Sequence, residues 1–491
     1  MQRQSYVGSV GALCLCSLAN AFVIVSIFPY AGYMVLGLLP DTTPESVGGY
    51  AGILSSSFML GRCGTAYLWG EIADQKGRIF VLQCSLILSA MFSILFGMST
   101  SFFMAIVWRL CLGLSSAVTS TTKTLASEIG HGDEEIEKQA MGLVVGMRSW
   151  GFLLGPAVGG LLSQPIQQYP KHFEGNRFQS KLFGSFPYLL PNIAVAVTCL
   201  LAAILVSFTL SETLDDDNQK KKSHRHLENS TNDDDGGDTE DDVASSNEQT
   251  KLLVAPQEGL IANQDEPEIL VPIWSRKPTQ AHMIFNWIFS FVVTVIDDGF
   301  PLFTISSVGG LGFQEKDIGQ VLSLAGLIFA LGQYATYHTI IHRFGVSQSI
   351  TVGCALGLVP LSLIPVSVWM MRDGLSKWSI LLFLSMLIGL SKILVCACYS
   401  SLAIATNRSV PKQQRAKMNG ILLIGSSIAK GMGPIFAGFL VFVSFSKTTF
   451  CIPPEHGSIL IFGTIGIMGL LTTRLAVWLE RAGQEMSLPI A

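Results

Sequence analysis

The six residues GPAVGG at positions 155–160 return as GPIFAG at positions 433–438, which lie 278 residues further along the chain. A second pair of short stretches, FPY at 28–30 and FPL at 300–302, is separated by a similar 272 residues. A proline among small residues inside an apolar run can bend a helix and lets a neighbouring helix approach closely. Two independent repeats at nearly the same separation therefore indicate a duplicated helical unit.

The composition places both units in a membrane. Of the 491 residues, 49% are hydrophobic and only 13% are charged, with a mean hydropathy of +0.48, whereas soluble domains carry about 25% charged residues. Each membrane-spanning helix needs about 20 apolar residues, so the chain could provide on the order of twelve spans. Secreted proteins, cytosolic enzymes and nucleic-acid-binding proteins are thereby excluded, and the net charge of −4 indicates no nucleic-acid partner.

Apolar runs separated by short polar turns predict two sets of six spans. They cover residues 6–38, 48–70, 79–98, 102–127, 139–163 and 187–210, and then 278–304, 317–340, 348–371, 378–405, 416–444 and 457–480. The predicted domains are an N-terminal six-helix bundle (1–210), a disordered cytosolic linker (211–277), a C-terminal six-helix bundle (278–482) and a cytosolic tail (483–491). The linker carries blocks of like charge and few aromatic residues, so it cannot bury enough surface to fold.

The distribution of basic residues predicts the orientation. With the N-terminus inside, most of the 31 Lys and Arg residues fall in the inner loops, linker and tails, which puts both termini in the cytosol. Within the linker, Glu248, Leu252 and Leu253 have the spacing of an acidic dileucine signal. A sorting adaptor that binds it would direct the protein to a vacuolar or lysosome-like membrane, and the plasma membrane is the alternative.

The turn after the second span reads GEIADQKGR (70–78) and resembles the loop signature G-x-x-x-D-x-x-G-R of the major facilitator superfamily. Gly70, Asp74, Gly77 and Arg78 occupy its fixed positions. Glycine permits a tight turn, and Asp74 can accept hydrogen bonds from a helix N-terminus or pair with a cation. The resemblance implies a latch that holds the two halves together in one of two states.

The fifth span resembles the antiporter signature G-x8-G-x3-G-P-x-x-G-G of the same superfamily. The matching residues are Gly142, Gly151, Gly155, Pro156, Gly159 and Gly160. Small residues three or four apart allow close helix packing, and the resemblance implies antiport. Arg109 and Gly113 are similar to the superfamily's R-x-x-x-G motif, in which the arginine is linked to proton coupling.

Within the superfamily, the sequence most resembles the zinc-induced-facilitator-like branch of the drug:proton antiporter group. The resemblance covers nearly the whole chain apart from the linker. It rests on stretches such as SFMLGR at 57–62, SETL at 211–214 and GLG at 310–312. The Cys-Pro-Gly-Cys of the plant members is replaced here by Cys14-Leu15-Cys16, a departure from the residues linked to metals in that branch.

Charged residues inside the spans are the candidate functional groups. Asp297 and Asp298 are adjacent carboxylates in the seventh span, where water, protons or cations must reach them. We expect them to couple transport to protons together with Arg109, and a structural pair with an embedded base is the alternative. Arg148, Lys392 and Lys430 are candidates to face an anionic group of the substrate across a central cavity.

These features predict an all-α membrane protein of the major facilitator fold, a proton-coupled antiporter for a small organic solute, drug-like compound or metal chelate. The expected partners are this solute, protons and the bilayer, with one chain sufficient and neither cofactor nor bound metal. A facilitative uniporter for a sugar or organic anion is one alternative, and a receptor or scaffold that uses the linker is another. No histidine box, nucleophile elbow or phosphate loop appears, so an enzyme is not expected.

Overall fold

Every regular element in the described part of the chain is a helix. The computed structural model describes residues 2–129, 134–173, 177–210, 277–410, 414–445, 453 and 456–485. Almost all of the predicted linker lies outside these residues, and with it the dileucine candidates Glu248, Leu252 and Leu253. Residues 486–491 of the predicted tail also lie outside, whereas residues 483–485 are still helical.

The N-terminal half contains long helices and several short ones that connect them. Its helices are α1 (Gln2–Val25), α2 (Ala31–Leu38), α3 (Val47–Lys76), α4 (Arg78–Gly97), α5 (Phe102–Leu114), α6 (Val118–Glu128), α7 (Glu134–Leu162), α8 (Pro165–Gln168), α9 (Pro170–Phe173), α10 (Arg177–Ser185) and α11 (Leu189–Thr209). The three short helices α8 to α10 lie in the predicted outer loop between the fifth and sixth spans.

The C-terminal half follows the same plan with longer helices. Its helices are α12 (Lys277–Ile305), α13 (Glu315–Leu358), a 3-10 turn (Val359–Leu363), α14 (Val366–Arg372), α15 (Lys377–Arg408), α16 (Arg415–Phe445) and α17 (Gly457–Glu485). α13 joins two predicted spans through a kink at Gly345, whose φ of 74° leaves the helical region. Glycine adopts this positive φ without steric cost.

The first predicted span, 6–38, is not one helix. α1 ends at Val25, and a turn separates it from α2, with Tyr30 N donating to Ile27 O at 3.0 Å. Pro29 explains the break, since proline has no N–H to donate and its ring clashes with the carbonyl one turn earlier. The apolar run continues across the break, so hydrophobicity alone predicts a single span there.

The fourth predicted span, 102–127, is also divided, between α5 and α6. At the break the Ser85 hydroxyl of α4 donates to Ser115 O at 2.5 Å and accepts from Ala117 N at 3.0 Å. A buried break leaves backbone groups without helical partners, and each such group costs free energy unless it is bonded. Ser85 supplies those bonds and thereby stabilises the interruption.

Hydrogen bonds between helix ends define two faces of the bundle. Ser9 near the start of α1 donates to Thr209 O at the end of α11, at 2.9 Å. In the second half, Thr279 at the start of α12 donates to Ser409 O after α15, at 3.1 Å. We call the face that holds these ends the terminal face, and the other the opposite face.

Ten helical segments among the described residues are long and apolar enough to cross a membrane. The two predicted spans that are missing from this set are α3 and the first part of α13. Each packs along the other half of the molecule, α3 against α16 and α13 against α7. Helices that face a protein partner have less need for apolar side chains than helices that face lipid, which explains their weaker hydrophobicity.

The two halves approach most closely near the opposite face. A Cβ added at Gly48 of α3 would lie 2.6 Å from Gly438 O of α16. A Cβ added at Gly160 of α7 would lie 2.8 Å from the Cα of Gly319 in α13. Backbone contacts this short require glycine, so both interfaces between the halves depend on it.

Candidate substrate cavity

A cavity of about 720 Å³ lies between the two halves. α1, α3, α5, α6 and α7 line it on one side, and α12, α13, α15 and α16 line it on the other. This volume is in the usual range of about 300–1,000 Å³ for small-molecule sites. The structure brings together here the six candidates that the sequence singled out within spans: Arg109, Arg148, Asp297, Asp298, Lys392 and Lys430.

The cavity opens toward the terminal face. Lys123 in α6 and Gly142 in the first third of α7 both line it and are exposed. A Cβ added at Gly142 would have no atom within 4 Å. The helices of the two halves are therefore separated on this side.

The opposite face is closed by polar contacts as well as by glycines. Gln164, in the turn after α7, donates from Nε2 to the Glu315 carboxylate at the start of α13, at 2.6 Å. The Tyr33 hydroxyl of α2 donates to the Phe313 carbonyl, a second bond between the halves. Glu315 is only 6% exposed, so this closure excludes solvent.

Arg109 is anchored to the break in the first span. Its guanidinium donates to Val23 O at 3.0 Å and to Ile24 O at 3.2 Å. Both carbonyls lie in the last turn of α1, where a helix leaves its carbonyl groups without partners. The guanidinium carbon also lies 4.9 Å from the centre of the Phe58 ring, and this cation–π contact fixes the buried charge in place.

The two carboxylates of α12 have different surroundings. Asp297 accepts a bond from Lys392 Nζ of α15 at 2.8 Å, so it forms an ion pair within its own half. Asp298 is only 6% exposed and faces the Ser55 hydroxyl of α3, a hydrogen-bond donor from the other half. The charge of Arg109 also acts on Asp298, which therefore sits between the halves.

Arg148 and Lys430 line the cavity from opposite halves. Arg148 of α7 lies over the Phe152 ring, with its guanidinium carbon 6.0 Å from the ring centre. Lys430 of α16 lies 5.6 Å from the centre of the Tyr399 ring. Within the described residues neither cation forms an ion pair with a carboxylate.

Comparison with known proteins identifies the family. A family model described as Major Facilitator Superfamily matches residues 13–406. The chain belongs to the major facilitator superfamily. Members of this superfamily are membrane transporters of small molecules, so membrane transport is the function of the family to which this chain belongs.

Relatives at about 30% identity span most of this facilitator. A probable peptide/nitrate transporter of Arabidopsis thaliana is 30% identical over 428 residues, which are 87% of this chain and 81% of the relative. The Arabidopsis thaliana protein ZINC INDUCED FACILITATOR-LIKE 1 is 31% identical over 430 residues, 86% of this chain and 81% of its own. The resemblance to the zinc-induced-facilitator-like branch is thereby confirmed.

A solved structure confirms the predicted fold class. The crystal structure of a D-xylose-proton symporter superposes on this facilitator with a TM-score of 0.66 at 12% sequence identity. The match covers 96% of this chain and 97% of the other. The two six-helix repeats of the major facilitator fold are therefore the architecture of this protein.

The latch residues lie at the terminal face of this facilitator. Asp74 is exposed, and the structure shows no hydrogen bond or ion pair for it among the described residues. Gly77, with φ at 102°, makes the turn between α3 and α4. Arg78 pairs with Glu128 at the end of α6, inside the N-terminal half. The role of these residues as a latch stays a prediction.

The antiporter signature of α7 packs against both halves. A Cβ at Gly151, Gly155 or Gly159 would contact α1 or the turn after it at Ala21, Val25 or Ser26, whereas Gly160 meets α13. Gly142, by contrast, lines the open cavity, and Pro156 lies inside the helix without ending it. The signature therefore joins the broken first span to the interface between the halves.

Several cavity residues carry no signal in the sequence that sets them apart. Ser149 of α7 donates to Gln333 of α13 at 2.7 Å, a buried bond between the halves. Ser55, Phe152 and Tyr399 also line the cavity. Lys123 also lines the cavity, although a base near the end of a span is typical of a snorkelling side chain.

Proposed function

We propose that this facilitator is a proton-coupled antiporter that moves a small organic solute by alternating access. The observation that carries the proposal is Asp298, a buried carboxylate that lines the cavity and faces Ser55 of the other half. An acid in an apolar span is costly unless protons or cations reach it. The open side of the cavity supplies that access.

The asymmetry between the two faces supports alternating access. Gln164 and Glu315 bond the halves at the opposite face, whereas Lys123 and Gly142 are exposed where the cavity opens. Rocking the halves about the central site would break the first contacts and close the open side. We propose that Asp74 makes its latch contact only in that second state.

Proton coupling follows from the position of Asp298 between the halves. As an anion it accepts a hydrogen bond from the Ser55 hydroxyl and is attracted by the positive charge of Arg109. As a neutral acid it loses most of the attraction to Arg109, so its protonation changes a contact across the interface. Asp297 is a weaker candidate for the carrier, because Lys392 already neutralises it.

We also propose the membrane arrangement that the basic residues predict. The terminal face would be cytosolic, so the cavity of this structure would open to the cytosol. The membrane would be vacuolar or lysosome-like if a sorting adaptor binds Glu248, Leu252 and Leu253, and the plasma membrane otherwise. One chain contains both halves of the cavity, so a monomer is sufficient for transport. The solute could be drug-like or a metal chelate.

The test is uptake into proteoliposomes from an isotope-labelled metabolite extract, with mass spectrometry as the readout. We expect an imposed pH gradient to drive accumulation by the wild type and to have no effect on Asp298→Asn. Asp373→Asn, an exposed acid after α14, is the matched control and should behave as the wild type. Accumulation that ignores the gradient and is equal in all three proteins would refute proton coupling.

Facilitative uniport is the second candidate, and the excess of bases over acids in the cavity is the observation that favours it. Among the described residues, five bases line the cavity against two carboxylates, and one of these carboxylates, Asp297, is already paired with Lys392. Uniport predicts net movement of solute down its own concentration gradient without movement of protons, whereas antiport moves protons the other way. A pH-sensitive dye inside the same proteoliposomes distinguishes the two mechanisms.

A further inference from the structure

The charges that line the cavity do not balance. Arg109 is bonded to two backbone carbonyls of α1 and covered by aromatic rings. Lys392 is paired with Asp297. Arg148 and Lys430 remain without a carboxylate partner in the described part of the chain, with Lys123 exposed beside them. An uncompensated charge in a partly buried site is costly, so this excess calls for a binding partner.

The two cations belong to opposite halves of the molecule and line the same cavity. Arg148 belongs to α7, and its charge acts on Lys430 of α16 and on Tyr399 of α15. Asp297 acts on Lys430 as well, although its carboxylate is bonded to Lys392. Phe152 and Tyr399 supply apolar ring faces next to the two charges. A planar guanidinium, an ammonium group and two aromatic ring faces are together suited to bind an organic molecule that carries an anionic oxygen group.

We propose that the transported solute carries an anionic oxygen group, a carboxylate, sulfate or phosphate, which binds between Arg148 and Lys430. The proposal rests on the proposed transport function and specifies the class of its substrate. The Arg148 guanidinium binds two oxygens of the group, and the Lys430 ammonium approaches it from the other half. The rings of Phe152 and Tyr399 contact the apolar remainder of the solute.

The same geometry links binding to closure of the terminal face. Without a solute, two like charges on opposite halves repel each other and favour the open cavity. An anion between them replaces this repulsion with two attractions, so the occupied protein closes more readily than the empty one. We therefore expect exchange of one solute molecule for another to be faster than net transport, because net transport requires the empty protein to change state.

A native cysteine allows the site to be tested whatever the solute is. Cys396 lines the cavity on α15, and the charge of Arg148 acts on it. The probes are two methanethiosulfonates of similar size, one with a sulfonate and one with a trimethylammonium group. Peptide mass spectrometry measures the modification rate at Cys396, and the ratio of the two rates cancels any change in thiol acidity.

We expect Cys396 of the wild type to favour the sulfonate reagent, relative to free 2-mercaptoethanol, by about tenfold or more. Arg148→Gln and Lys430→Gln should each lower this preference, and the double variant should abolish it. The matched controls are Arg474→Gln in α17 and Lys316→Gln in α13, which remove exposed bases outside the cavity lining. A wild-type ratio equal to that of the free thiol, or one unchanged in the double variant, would overturn the proposed site.

Solute class is tested with the metabolite-extract uptake described above. The accumulated solutes should carry an anionic oxygen group, and Arg148→Gln or Lys430→Gln should raise the KM for each by about tenfold to a hundredfold. Accumulation of neutral or cationic solutes alone would overturn this inference while leaving transport intact. Absence of any accumulation would refute the proposed function instead, and the reagent ratio would then still decide whether the anion site exists.

Discussion

Replacing Gly48 by alanine should shift this facilitator away from the state seen here. Gly48 of α3 contacts Gly438 of α16 where the halves meet near the opposite face, and an added Cβ would lie 2.6 Å from Gly438 O and 3.2 Å from the Cβ of Val441. The neighbouring oxygen belongs to the backbone of another helix, so it cannot move aside as a flexible side chain would. Opening the opposite face would remove the clash entirely.

The size of the shift follows from the cost of overpacking. Inserting a methyl group into a well-packed contact costs about 1–3 kcal/mol. Since this cost falls only on the state in which the opposite face is closed, the ratio of that state to its alternative should drop about 5- to 150-fold. A glycine contact inside one half gives no such shift, because both states contain it.

Distances between spin labels on the terminal face measure the ratio directly. In a cysteine-free variant, labels at Thr124 of α6 and Arg408 of α15, both exposed, should show a shorter distance when the terminal face closes. The matched control is Gly353→Ala in α13, where a Cβ would lie 2.7 Å from the Cβ of Cys398 in the same half. A distance distribution for Gly48→Ala that matches this control and the wild type would refute the reasoning.

Three further predictions concern contacts around the cavity. Gln164→Ala removes a hydrogen bond to the buried Glu315 carboxylate, so the same spin labels should report about a tenfold shift toward the state with the terminal face closed. Lys392→Ala leaves Asp297 without its ion-pair partner. Because the two side chains are 21% and 25% exposed, the free energy of unfolding, measured by thermal unfolding, should fall by about 1–3 kcal/mol, less than for a fully buried pair. Adding Asp297→Asn should restore this stability. Arg109→Lys replaces the planar fork, whose two terminal nitrogens each bond one α1 carbonyl, by a single nitrogen. We expect it to lose about 1–2 kcal/mol by the same measurement and to slow gradient-driven uptake, and unaltered stability would contradict the anchoring role.

Hydrophobicity and spacing predicted most of the helices, because each span must satisfy its own backbone hydrogen bonds in lipid. Helix α4, for example, spans 78–97 where the sequence predicts 79–98. The break in the first span could not be predicted in the same way. Whether Pro29 ends a helix or only bends it depends on partners such as Arg109, which lies 80 residues further along the chain.

The charges of the site were predictable as individuals but not as pairs. Membrane burial makes every charged residue in a span conspicuous, and all six candidates line the cavity. The pairing of Asp297 with Lys392, and the isolation of Arg148, depend on how helices far apart in sequence rotate about their axes. The apolar composition of a segment predicts the length of a span, which is about 20 residues. The rotation of that helix about its axis is determined by packing against neighbouring helices.

The two repeats differ at the positions that we propose couple transport to protons. When the two repeats are aligned by the 272-residue separation of FPY and FPL, Val25 and Ser26 correspond to Asp297 and Asp298. In the first half Pro29 ends the helix, and the carbonyls just before this point bind the cation Arg109. In the second half Pro301 lies within α12 and cannot donate to the carbonyl of residue 297.

The negative groups of the second half are carboxylates instead, and the charge of Arg109 acts on one of them, Asp298. The first half of the duplicated unit thus contributes fixed backbone carbonyls and the second half contributes titratable acids, and Arg109 interacts with both. Only the second set can exchange protons, so loss of coupling in Asp298→Asn should leave the Arg109 anchor to α1 intact.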